Sequence, residues 1–190
     1  MPNYRRAYQP GGTFFLTLVT HQRIPLFNDP TARQLLHESL AQTRRDRPFE
    51  LVATVLLPDH LHLVLTLPPD ESDFSIRVGA IKGRFTRRWL ANGGGETSQS
   101  PSRTDHEYRG LWQKRFWEHA VRDLDDLNRC CDYVHFNPVK HGLASCPHEW
   151  SWSTFHRFIR EGKYDANWCC VCAGMELRKP PVNIHGAEMD

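Results

Sequence analysis

The sequence predicts an α+β domain of the ferredoxin-like βαββαβ kind, an antiparallel sheet with helices on one face. Two observations carry this. Four short runs rich in β-branched and aromatic residues are interleaved with two stretches of helical period. The middle two runs are separated only by Pro58-Asp59, which reads as a hairpin turn. A length of 190 residues fits one core, with residues 1–160 as the domain and 161–190 as a C-terminal tail.

Residues 13–20 (TFFLTLVT) follow a Gly-Gly turn and form the first strand. Residues 31–46 form a helix with Leu36 and Leu40 on one face. Arg44, Arg45 and Arg47 lie at its C-terminal end, where the helix dipole favours cations. Residues 49–57 and 60–67 (HLHLVLTL) pair as the hairpin. Across 73–90, Phe74, Val78, Ile81, Phe85 and Trp89 recur at three- and four-residue steps and make one apolar stripe. The Gly-, Ser- and Thr-rich stretch 91–110 is expected to be a mobile surface loop inside the domain, because the strand at 111–121 must complete the sheet. Asp123 is expected to cap a helix that Pro138 stops after Asn137, with Leu124, Leu127, Cys131 and Val134 buried. A short aromatic helix near Trp152 and Phe155 follows, and the chain beyond about 162 reads as a loose tail.

Composition narrows the class. Hydrophobic residues make up 39% and charged residues 24%, which excludes both a membrane protein and a disordered chain. The start MPNYRRAYQPGG is basic but has no apolar stretch after it, so no secretory leader is expected and the six cysteines are expected as thiols in a reducing cytoplasm. Cys169, Cys170 and Cys172 form a C-C-x-C run that lacks the two well-spaced ligand pairs of a closed zinc site. The net charge is only +2, yet 19 of the 24 basic residues are Arg, whose planar fork suits phosphate. A GC-rich genome gives the same bias, so position has to decide.

Two constellations stand out. His60 and His62 are two apart on a strand and therefore project from one face of the sheet, close enough to grip one divalent cation. Imidazole alone suggests zinc or another transition metal, and two surface histidines give the same pattern. Tyr133 and Asn137 are four apart on a helix, about 40° around its axis from each other and toward the edge of the buried face. A tyrosine there can serve as a nucleophile and an Asn oxygen as a hard metal ligand. An ordinary core-edge tyrosine and a helix-ending Asn give the same spacing.

Four segments taken together, PDHLHLVLTL, LWQKRFWEHAVRDLDDL, YVHFNPVKHGL and EWSWSTF, resemble the REP-associated tyrosine transposases, domesticated relatives of the IS200/IS605 single-strand transposases. The resemblance runs over most of the chain and implies that fold. It implies that His60 and His62, with Asn137, hold Mg²⁺ or Mn²⁺, displacing zinc, and that Tyr133 is the nucleophile. It also implies cleavage of single-stranded DNA beside the hairpins of repetitive extragenic palindromes, through a 5′-phosphotyrosine link with a free 3′-OH. The location so implied is the bacterial cytoplasm, at the nucleoid. His141 departs from the small residue that relatives often carry before Gly142, and the 92–104 insertion and the Cys-containing tail have no match.

DNA binding is expected to use Arg5, Arg6, Arg84, Arg87, Arg88, Lys114 and Arg115 on phosphates, with Tyr4, Tyr8 and Trp112 stacking on unpaired bases. Glu118 and His119 are candidates to support the metal ligands. No nucleotide-binding Gly-x-x-x-x-Gly-Lys-Ser/Thr loop is present, so no nucleotide cofactor is expected, and a monomer is favoured over a homodimer. The competing readings are a hairpin-binding regulator that no longer cleaves and an RNA-binding βαββαβ module. The latter would expose aromatics where HLHLVLTL offers imidazoles.

Overall fold

The computed structural model describes residues 8–97 and 110–171. Its main elements are β1 (Thr13–Val19), α1 (Pro30–Asp46), β2 (Glu50–Leu56), β3 (His60–Thr66), α2 (Phe74–Ala91), β4 (Trp117–Ala120), α3 (Leu124–Lys140) and α4 (Phe155–Arg160). The strands form one antiparallel sheet in the order β2-β3-β1-β4, so the expected βαββαβ architecture is present.

Strand periodicity sorts the core into two layers. Phe14, Leu16 and Leu18 of β1 and Leu61, Leu63 and Leu65 of β3 face α1 and α2, the two helices of the βαββαβ unit. The alternate residues, Phe15 and Val64 with Ala53 and Val55 of β2, face α3, which covers the opposite side together with Phe158 of α4. Six of the seven residues of β1, and likewise of β3, are therefore buried, which is why their sequences read as near-continuous apolar runs.

Each long helix begins on an aspartate. Asp29 accepts from Thr31 N at 2.6 Å, Asp73 from Ser75 N at 2.8 Å and Asp123 from Asp126 N at 2.8 Å, satisfying donors that the first turn leaves open. The end of α3 corrects the sequence reading. Pro138 lies inside the helix, and Gly142, at φ +66°, ends it: Leu143 N bonds back to Pro138 O at 2.9 Å and Gly142 N to Val139 O at 3.0 Å. Proline removes one donor but leaves its carbonyl to accept that closing bond. The buried stripe of α3 holds the expected Cys131 and Val134, with Leu127 packed beside them, but is broader than expected and omits Leu124. Leu124 is 69% exposed, whereas Cys130, Tyr133, Val134 and Asn137 face inward.

Three further differences follow from packing. The strand expected over 111–121 is regular only at Trp117–Ala120, with an isolated bridge from Trp112 to Thr20. Trp112 itself is buried against Phe27 and Phe85, with ring centroids 5.7 and 5.5 Å away, so it does not stack on bases. Residues 163–171 are not a loose tail. Tyr164 and Trp168 stack at 4.4 Å beside Phe155, and Val171 N bonds to Ser145 O at 2.8 Å. The ends of the 91–110 loop meet where Thr97 Oγ1 donates to Gly110 O at 2.7 Å, and its middle lies outside the described residues. Among the described residues, no helix is long and apolar enough to cross a membrane.

Candidate active site

β3 sets His60 opposite Val19 and His62 opposite Thr17 of β1, so both imidazoles rise from the face that α3 covers. Their ring centroids are 4.7 Å apart at 80°, and both residues are buried. Each Nδ1 is already engaged: His60 with Asp59 Oδ1 at 2.6 Å, His62 with Thr17 Oγ1 at 2.9 Å. A partner on Nδ1 fixes ring orientation and leaves Nε2 as the ligating atom. Asp59 and Thr17, rather than Glu118 and His119, are the residues bonded to these imidazoles. Burial would raise the Asp59 carboxyl, but hydrogen bonds and charge from His60 and Arg23 hold it below the usual range. His62 is pushed well below 6.5, first by burial and then by the charges of His60, His141, Lys140 and Arg23. It is therefore neutral, the form in which an imidazole binds a metal.

α3 runs across these imidazoles. Tyr133, Asn137 and His141 recur every fourth residue and make one row that winds by about 40° per step. At one end, the Tyr133 ring meets His62 edge-on at 5.4 Å and packs on Phe15 at 5.7 Å. At the other, His141 meets His60 at 5.4 Å. Asn137, in the middle of the row, is completely buried, and neither atom of its carboxamide has a hydrogen-bond partner among the described residues. Such a group is costly unless something binds it. Two imidazole nitrogens with an unpaired amide oxygen across from them fit a divalent ion that accepts mixed nitrogen and oxygen ligands.

The structure thus brings together all four residues singled out as the centre. It also buries Tyr133, 5% exposed, where the sequence placed it at the edge of a face. Lys140, exposed and two turns on, holds its Nζ 3.5 Å from the phenol oxygen and 4.9 Å from the ring, marking where the phenol comes nearest the surface. Lys140, Asp59, Thr17 and the neighbourhood of His141 and His60 were missed as contributors. The seven-residue step from Tyr133 to Lys140, one helix face, was the signal available for the lysine.

Other expectations need correction. Arg84 donates to Thr43 Oγ1 at 2.8 Å and pairs with Asp46 at 2.6 Å; Arg88 donates to Ser39 Oγ at 2.9 Å and to Gln42 Oε1 at 2.5 Å. Both tie α2 to α1 on the sheet face away from the histidines, and neither lines the site. Arg87 is exposed on that same layer. Glu118 sits opposite Leu16 in register and so turns toward α1 and α2. His119 bonds Asp126 Oδ2 at 2.8 Å and anchors the first turn of α3, two turns from Tyr133. Lys114 and Arg115 are exposed beside Gln113, whose N bonds Val19 O, which puts them at the end of the sheet where β3 begins with His60. Tyr8 is 54% exposed, while Tyr4, Arg5 and Arg6 lie outside the described residues.

Comparison with known proteins places this arrangement. The family profile described as "Transposase IS200 like" matches residues 12–137, which contain β1 through Asn137. A REP-associated tyrosine transposase of Escherichia coli strain K12 is 40% identical over 169 residues, covering 88% of this chain and 91% of that one. A Haemophilus influenzae protein is 37% identical over 169 residues, covering 88% and 93%. The solved structure of a REP-associated tyrosine transposase bound to a REP hairpin is similar over 97% of this chain and 100% of that chain, with a TM-score of 0.74 at 37% identity. The chain belongs to the IS200-like transposases, among the REP-associated tyrosine enzymes that cut and join DNA.

Proposed function

We propose that this protein is a metal-dependent single-stranded DNA endonuclease and strand transferase that acts at REP-type hairpins through a 5′-phosphotyrosine intermediate. The observation that carries the reading is the pairing of α3 with β3, which sets the Tyr133 ring 5.4 Å from His62 and holds unpaired, buried Asn137 in the same row. His60, His62 and Asn137 hold the ion, Mg²⁺ or Mn²⁺. When bound, it neutralises charge on the phosphate under attack.

The chain's own residues do the rest. Tyr133 Oη attacks phosphorus, the Oη–P bond forms and the P–O3′ bond breaks, and the 3′-oxygen leaves as a hydroxyl once protonated. The phenol proton passes to solvent, and Lys140 Nζ, 3.5 Å from Oη, keeps a positive charge beside the oxygen that attacks. The phosphodiester energy is retained in the tyrosyl link, so a 3′-OH can reverse the step. Arg23, Lys114, Arg115 and Lys140, gathered toward the His60 end of the sheet, attract the DNA backbone. All the groups of the centre come from one chain, which supports action as a monomer, in the bacterial cell beside its DNA. Both faces of the central strands are covered, which leaves no open aromatic platform for the RNA-binding reading.

The test is incubation of a labelled single-stranded REP hairpin with the protein and Mg²⁺ or Mn²⁺, followed by a denaturing gel. A protein–DNA adduct is expected; EDTA abolishes it and Tyr133→Phe eliminates it. His60→Ala abolishes cleavage while hairpin binding changes little. Full cleavage by Tyr133→Phe would overturn the nucleophile assignment. Tight hairpin binding by the wild-type protein with no adduct under any divalent ion would establish the non-cleaving regulator instead.

A further inference from the structure

We infer that Cys146, His148 and Cys170 form a second metal site, for zinc, separate from the proposed catalytic centre. The sequence showed only the C-C-x-C run, without a second pair of ligands at a usable spacing. Folding supplies that pair. After Gly142 ends α3, the chain turns through a short 3-10 helix (Pro147–Glu149), whose Glu149 carboxylate accepts from Ser145 N at 2.8 Å and Cys146 N at 3.1 Å. This turn fixes Cys146 and His148, two residues apart. The returning segment is held by the stacked Tyr164 and Trp168 and by the bond from Val171 N to Ser145 O, and it delivers Cys170 to the same point.

Cys146 and Cys170 are both buried with their sulfurs at bonding distance, against the expectation of six thiols, and His148 Nδ1 is 3.6 Å from Cys170 Sγ. One donor atom from each of the three residues lies within 4.8 Å of the others. Tetrahedral zinc with bonds of about 2.3 Å to sulfur and about 2.0 Å to nitrogen sets its ligands roughly 3.5–3.8 Å apart. Sub-ångström shifts therefore convert the observed cluster into a coordination shell, with His148 exchanging its 3.0 Å contact to Ala166 O for the metal. Two thiolates and an imidazole are a soft donor set that selects zinc over magnesium.

A disulfide between Cys146 and Cys170 is the competing arrangement. It makes no use of His148, and it is disfavoured in the reducing compartment where a bacterial enzyme meets DNA; that second argument rests on the proposed function. Bound zinc staples residues 163–171 to the chain just beyond α3, the helix that carries Tyr133, Asn137 and His141. The fourth position belongs to solvent or to a further donor of the chain.

The test uses the full-length protein purified without chelator, with the metal measured by mass spectrometry on one portion, and the intact chain weighed on a second portion prepared from cells quenched with a thiol-alkylating reagent. About one zinc per chain is expected, falling below roughly a tenth of that in Cys170→Ser and in His148→Ala and unchanged in His60→Ala. Cobalt(II) in place of zinc gives a sulfur-to-cobalt charge-transfer band of two-thiolate intensity, lost in Cys170→Ser. His148→Ala keeps both cysteines, so its loss of zinc with an unaltered far-UV circular dichroism spectrum separates ligation from misfolding. A zinc-free chain whose Cys146 and Cys170 are joined or freely alkylated overturns the proposal, as does zinc that disappears in His60→Ala. The measurement contains no DNA, so failure of the cleavage reading leaves it standing, and a wild-type chain that purifies without zinc yet still cleaves sinks this inference alone.

Discussion

Asn137 offers a perturbation whose sign depends on whether a metal is present. Its carboxamide is wholly buried and both polar atoms lack partners among the described residues, so the metal-free fold carries their desolvation uncompensated. A buried, unsatisfied donor or acceptor costs about 1–3 kcal/mol. Asn137→Leu keeps nearly the same volume and removes both groups, so the metal-free variant is expected to be more stable than wild type by about 1–3 kcal/mol, of which better helix propensity supplies up to about 0.5. For a domain of this size that corresponds to a rise in Tm of roughly 2–12 °C. Manganese reverses the order. An ion at about 1,000 times its Kd stabilises wild type by about 4.1 kcal/mol, and the variant, having lost its oxygen ligand, gains far less. Urea unfolding followed by circular dichroism, in EDTA and then in Mn²⁺, reads both signs on one sample, and the hairpin gel reads loss of the adduct. A variant less stable than wild type in EDTA would refute the reasoning, because Asn137 would then be making hydrogen bonds that hold the fold.

Two other expectations follow from the packing. His135 is completely buried, bonded to Thr154 Oγ1 at 2.9 Å, and burial pushes its pKa down to about 3. The unfolded chain, titrating near about 6.5, binds the proton that the fold refuses, so stability falls with pH below that value, by about 2–3 kcal/mol between about pH 7 and pH 4.5. Urea midpoints across that range should fall less steeply for His135→Gln than for wild type; parallel curves would show that His135 does not titrate this way. Arg84→Ala and Arg88→Ala should each cost about 1–2 kcal/mol by freeing α2 from α1 while changing hairpin affinity and its salt dependence little. A steep loss of affinity without loss of stability would return those arginines to the DNA interface.

Much of this was legible before any coordinates. Period-two and three-to-four-residue patterns located β1, β2, β3 and the three long helices within a few residues, because burial imposes those periods directly, while the fourth strand came out much shorter than expected. Asp123 announced the start of α3 for the same local reason, whereas Asp29 and Asp73, which cap α1 and α2, went unread. The His60-Leu61-His62 spacing dictated that two imidazoles share a face, since pleating alternates side chains whatever surrounds them. Errors came where distant packing overrode local preference. Pro138 looked like a stop, but Gly142 supplied the closing bonds. Trp112 looked available for stacking, but Phe27 and Phe85 enclose it. Arg84 and Arg88 looked like phosphate ligands, but hydroxyls and a carboxylate on α1 hold them.

Local spacing alone thus determined which groups could act in pairs: His60 with His62, Tyr133 with Asn137. Whether those two pairs meet is a question of how α3 lies on β3, and no pattern within either segment contains that answer. The contact of Phe15 and Val64 with the inward stripe of α3 decided it, and the same burial stripped Asn137 of partners and neutralised His62. Cys146 and Cys170 show the rule again. Twenty-four residues separate them, and the turn after α3 together with an aromatic stack makes them neighbours. Chain geometry sets short-range relations because bond lengths and dihedrals propagate over a few residues; relations across the molecule come from which apolar surfaces exclude water together.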